Sequence, residues 1–95
     1  MDRLEREEVY KTAIMCFGKP QQKLMAIEEM SELAKAICKD FRGKLNRENL
    51  VEEMADVQIM LEQLKIIYDA HEAVDAAMEL KIKRLRQLLN MDMDD

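Results

Sequence analysis

The sequence predicts an all-α fold built as a four-helix bundle, and three observations predict it. Hydrophobic residues make up 48% of the 95 residues and charged ones 37%, with two Gly, one Pro and no Trp, a composition of helix formers. Apolar residues recur at helical spacing, and no strand-like alternation is long enough to compete. Residues that start and stop helices then divide the chain at legible points. A chain this short holds one domain, expected over residues 1–90, with a modest core at best.

An amphipathic stretch from Arg3 to Phe17 ends at Gly18, and Lys19-Pro20 opens the next, Gly suiting a C-terminal cap and Pro a first turn. The second helix runs from Pro20 to Asp40 and dissolves in Phe41-Arg42-Gly43-Lys44. Asn46 is an N-cap for a third helix from Arg47 to Tyr68, and Asp69 with Glu72 forms a capping box for a fourth that ends near Leu89. Four helices, or a broken first one plus two, make the domain, and the acidic tail 91–95 is expected to fray.

Fifteen Lys and Arg against twenty Asp and Glu give a net charge of −5, which argues against a nucleic acid polymer as partner. The longest uncharged run, Thr12 to Gly18, is far short of a membrane span, and the N-terminus lacks the apolar core of a signal peptide. A cytoplasmic protein with no membrane partner is expected. Cys16 and Cys38 form no CxxC motif, and a single histidine leaves a zinc site short of soft ligands, so both cysteines read as reduced, buried thiols.

Setting aside Glu28, Glu29, Glu32, Glu53 and Asp56 leaves as many acids as bases, although other choices of five would balance equally. These five form two short motifs, Glu28-Glu29-x-x-Glu32 in the second helix and Glu53-x-x-Asp56 in the third. Residues three apart share a helix face, so each helix presents a carboxylate pair. On the third helix Leu50, Val57, Met60, Leu61, Leu64 and Ile67 make the apolar stripe, and Glu53 and Asp56 fall inside it or at its edge. Glu48, Glu52 and Glu62 lie on the opposite side. On the second helix the stripe reads Ile27, Met30, Leu33, Ala34 and Ile37, with Glu29 and Glu32 on its flank.

A single Glu-x-x-Glu is most often a solvated helix face. Two such motifs on helices joined by a short loop, one of them inside an apolar stripe, point to acids gathered between antiparallel neighbours. Several carboxylates brought together out of water need a compensating cation, and no Lys or Arg falls within the third helix's stripe to supply it. An all-oxygen ligand set suits Mg²⁺, or Mn²⁺. A di-iron bundle site needs Glu-x-x-His, and the one histidine, His71, follows Tyr68 at that spacing.

The motifs Ala26-Ile27-Glu28-Glu29-Met30-Ser31-Glu32-Leu33 and Leu50-Val51-Glu52-Glu53-Met54-Ala55-Asp56-Val57, twenty residues apart from Glu32 to Glu53, resemble the EExxE and ExxD signature of the MazG-like all-α nucleoside triphosphate pyrophosphohydrolases. The resemblance covers about residues 10 to 88. It implies Mg²⁺-dependent cleavage of a nucleoside triphosphate between the α and β phosphates, giving a monophosphate and pyrophosphate, in a nucleotide-pool or house-cleaning role. By resemblance Glu29, Glu32, Glu53 and Asp56 bind the metal, while Glu28, with Glu29, takes part in catalysis by helping to orient the attacking water. Lys83 and Arg84 of the fourth helix are candidates for phosphate binding, and Tyr10 and Phe17 of the first for stacking on a base. The resemblance also implies a homodimer or homotetramer in which the bundle is completed between chains. Beside the third helix's stripe lie Ile59 and Ile66, which one chain of four helices is not expected to cover. A phosphoribosyl-ATP pyrophosphohydrolase, disfavoured by the extra helix before EExxE, and a non-catalytic helical binding protein of the same fold are the alternatives.

Overall fold

The computed structural model describes residues 1–91, and these form four helices and no strand: α1 (Arg3–Phe17), α2 (Lys19–Phe41), α3 (Arg47–Ile67) and α4 (His71–Leu88). Among the described residues no helix is long and apolar enough to cross a membrane. The fraying expected of the tail falls largely on residues 92–95, outside the described residues, while the Met91 N–H donates to the Arg86 carbonyl at 3.1 Å.

Asp2 caps α1, its Oδ1 accepting the Glu5 N–H at 2.8 Å while the Glu5 side chain accepts the Asp2 N–H, a reciprocal capping box. Asn46 caps α3 as its sequence predicts, Oδ1 accepting from the Asn49 N–H. The expected capping box at Asp69 is not formed. Asp69 instead takes a left-handed conformation, φ 50°, and closes α3: its N–H donates to the Ile66 carbonyl and the Ala70 N–H to that of Lys65. Ala70 therefore precedes α4 without a side-chain cap. Gly43, φ 73°, ends α2 by the same pair of bonds, which explains why the loop to α3 is so short.

α2 and α3 are the most closely packed pair, α1 lies against both, and α4 touches α3 alone. Gln22 of α2 meets Gln63 of α3, and Glu29 meets Asp56, so the two helices run antiparallel. The side of α2 that faces the bundle is Gln22, Ala26, Glu29, Leu33 and Ala36, not the stripe expected around Ile27 and Ile37. Alanine wins those positions because it lets the two backbones approach. Ile27, Met30, Ala34, Ile37 and Phe41 form a second α2 stripe that stays exposed, as do Val51, Met54 and Ile59 on α3. Ile66 is half-buried, and Leu61, expected in the core stripe, is exposed. Cys16 and Cys38 are exposed too, a correction to the buried thiols expected: each falls on a helix face that no other helix covers.

The buried apolar residues are Ile14, Ala26, Ala36 and Met60, and α4 buries none of its side chains. The accessible surface is 7918 Å², against about 5,700 Å² for a compact chain of this mass. The radius of gyration is 16.5 Å, where about 12 Å is usual for this length. Both excesses have the same source, apolar helix faces with no partner within the chain.

Candidate metal centre

The closest carboxylates come together where α2 crosses α3. Side-chain oxygens of Glu29, Glu53 and Asp56 lie within 4.8 Å of one another, Glu29 and Glu53 half-buried and Asp56 at the solvent edge. The placement follows from local structure. Glu29 sits mid-way along the α2 face that meets α3, and Glu53 and Asp56, three apart, occupy one face of α3.

The charges in this cluster are poorly compensated. Glu53 Oε1 accepts from Asn49 Nδ2 at 3.3 Å, but Oε2 is shielded from solvent and has no hydrogen-bond partner. An orphaned, buried carboxylate oxygen is unfavourable by itself and is the donor a cation would use. The pKa of Glu29 is raised above its ordinary value, first by desolvation, then by the negative charges of Asp56 and Glu53 and by the closeness of the Asp56 carboxyl, with Glu32 adding a smaller push. Three hard oxygen donors from two helices, one of them orphaned, fit Mg²⁺ or Mn²⁺.

The remaining predicted site residues are less convergent. Glu32 stands outside the cluster, exposed, with Oε1 3.4 Å from Lys35 Nζ. Glu28 is exposed one position before Glu29. Lys83 and Arg84 are exposed on α4, which does not contact α2, so one chain does not bring them against the acids. Tyr10 is half-buried in a cavity of about 900 Å³ between α1, α3 and α4 that none of the five motif acids lines. Phe17, 65% exposed, lines a different groove along α1. The two aromatics therefore do not form one stacking site in a single chain. Asn49 is the neighbour the motif search missed, and its position one turn before Glu53 was the available signal.

Comparison with protein-family models, with curated proteins and with solved structures returned no match.

Proposed function

We propose that the chain is a Mg²⁺-dependent nucleoside triphosphate pyrophosphohydrolase of the MazG-like type, acting in a cytoplasmic nucleotide-pool or house-cleaning role. The observation that carries this reading is the convergence of Glu29, Glu53 and Asp56, with Glu53 Oε2 buried and unpartnered. Supporting it are the spacing of the two acidic motifs and the antiparallel packing of the helices that hold them.

Glu29, Glu53 and Asp56 hold the ion in this reading, and Glu32, next along α2, joins them by a change of side-chain rotamer that releases Lys35. A bound Mg²⁺ supplies charge neutralisation for the triphosphate and lowers the pKa of water at the site. Glu28 faces solvent beside Glu29 and accepts the proton of the attacking water. A P–O bond forms at the α phosphorus as the bridging bond to the β phosphate breaks, and pyrophosphate leaves with that bond's electrons. Asn49 holds Glu53 in its inward rotamer through Oε1, leaving Oε2 free for the ion.

The same reading makes the protein a homodimer or homotetramer. The accessible surface exceeds that of a compact chain of this mass by about 2,200 Å², and the exposed apolar residues of α2 within it favour burial against a second copy. A second copy over the exposed α2 stripe would bury Ile27 and Ile37, and Ile59, on the α3 side that lines the cavity with Tyr10, offers a second contact. It would bring Lys83 and Arg84 of one copy toward phosphates held by the acids of the other.

Incubation with a panel of common and damaged NTPs and dNTPs, with Mg²⁺ and pyrophosphate detection, tests the activity. Release of pyrophosphate and a monophosphate from one class of nucleotide is expected. Absence of pyrophosphate across the panel, or release of orthophosphate alone, would refute the reading.

A further inference from the structure

Gln22 and Gln63 are the buried polar residues of the described chain, 6% and 4% exposed, and they pair with each other: Gln22 Nε2 donates to Gln63 Oε1 at 2.7 Å across the α2–α3 interface. Neither belongs to an acidic motif. Their place relative to the acids is what gives them meaning. Seven residues on from Gln22 is Glu29, and seven back from Gln63 is Asp56, acids whose side-chain oxygens lie within 4.8 Å of each other. Two turns of each helix, about 10 Å, separate the amide pair from the carboxylates, on the same faces and in the same antiparallel register.

The rest of this interface is poorly suited to fixing that register. Its buried residues are Ala26, Ala36 and Met60, two small side chains and one flexible one, and among the described residues no large side chain is fully buried. Small residues allow helices to approach but offer few interlocking shapes to stop one sliding along the other. The acids do not hold the register themselves, since bringing Glu29 against Asp56 and Glu53 sets like charges within 4.8 Å. A slip of one turn would change which acids face each other, setting Glu29 opposite Glu53 in one direction and Glu32 opposite Asp56 in the other, and it would separate the two amides and leave each buried without its partner.

We propose that the Gln22–Gln63 hydrogen bond is a register pin for the acidic cluster: it sets α2 against α3 in the alignment that places Glu29 opposite Asp56 with Glu53 beside them, before any cation is bound. The pair supplies specificity of alignment rather than stability, as a single buried polar contact does when it selects one register among several apolar ones. Both are positioning residues; neither reaches the ion. The inference rests on the proposed metal centre.

The test compares the wild type with the double variant Gln22→Leu/Gln63→Leu, and with Gln22→Met/Gln63→Met as a second apolar pair of closer shape. Thermal unfolding is followed in chelator, and Mn²⁺ affinity is measured by calorimetry. Each double variant is expected to melt at or above the wild-type temperature in chelator and to bind Mn²⁺ at least about tenfold more weakly, a split that loss of ordinary packing would not produce. Wild-type Mn²⁺ affinity in well-folded double variants would overturn the pin and leave the metal centre standing. Failure of both double variants to fold would overturn it too, because the pair would then be a stability element. A wild type that binds no Mn²⁺ would remove the metal centre, and the pin with it.

Discussion

Replacing Glu53 with Gln changes one atom type at the most confined point of the acidic cluster. The amide keeps the volume and the Oε1 acceptor for Asn49 Nδ2, while the charge on the buried, unpartnered Oε2 is lost. Two unit charges 4.8 Å apart repel by about 3.5 kcal/mol at an effective dielectric of 20 and by about 0.9 kcal/mol in water. Asp56 is exposed and Glu29 only half-buried, so solvent screens both pairs toward the lower limit. Metal-free Glu53→Gln is therefore expected to gain about 1 kcal/mol, a rise in Tm of about 4–8 °C for a chain of this size. With millimolar Mg²⁺ the order reverses. An ion at a hundred times its Kd stabilises the wild type by about 2.7 kcal/mol, and a variant that has lost this ligand forgoes most of that. Circular dichroism melts of both proteins, in chelator and in Mg²⁺, give the four temperatures. Equal Mg²⁺ responses, or a variant less stable in chelator, would refute the reasoning, because Glu53 would then be neither repelled by its neighbours nor a ligand.

Other perturbations probe the same account. Without metal, the raised pKa of Glu29 means that the folded chain binds this proton more tightly than the unfolded one, so the group's contribution is fully present below 4.5 and is lost as pH rises through its folded-state pKa. The difference in melting temperature between wild type and Glu29→Gln, taken in chelator across pH 4 to 7, should therefore widen in the variant's favour as pH rises, and a constant difference would contradict the shift. Ala26, 2% exposed between α2 and α3, leaves no room for a larger side chain, and Ala26→Leu should cost about 1–3 kcal/mol by denaturant melts and weaken Mn²⁺ binding together; an unchanged midpoint would mean that the helices are not in close contact there. Ile59→Glu and Ile37→Glu, at exposed positions of a single chain, should dissociate the assembly and lower activity while leaving helicity intact. Light scattering showing a fully active wild-type monomer of 11.2 kDa at micromolar concentration would refute the assembly.

The helices were legible because their ends carry strong local chemistry: Gly18, Gly43 and Asn46 act where their residue types predict. Asp69 misled because the same residue type serves as an N-cap and as one of the few non-glycine residues that tolerates the left-handed conformation ending a helix, and only the packed structure decides between them. The acids were legible as a pattern of spacing. Which side of α2 faces inward was not, since that helix carries two apolar stripes and hydrophobicity alone favours the bulkier one; the backbone approach at Ala26 and Ala36 selects the other and turns Glu29 inward. Gln22 and Gln63 were invisible to a search for apolar periodicity for the opposite reason, as polar residues at core positions whose partner lies 41 residues away.

The central claim, that Glu29, Glu53 and Asp56 hold a divalent ion, is tested most directly by anomalous scattering from crystals grown with Mn²⁺. The account predicts a peak between α2 and α3 at coordinating distance, about 2.1 Å, from oxygens of all three residues, including Glu53 Oε2, and its loss in Glu53→Gln crystals. A Mn²⁺ peak bound elsewhere, or none at these carboxylates at millimolar Mn²⁺, would contradict it.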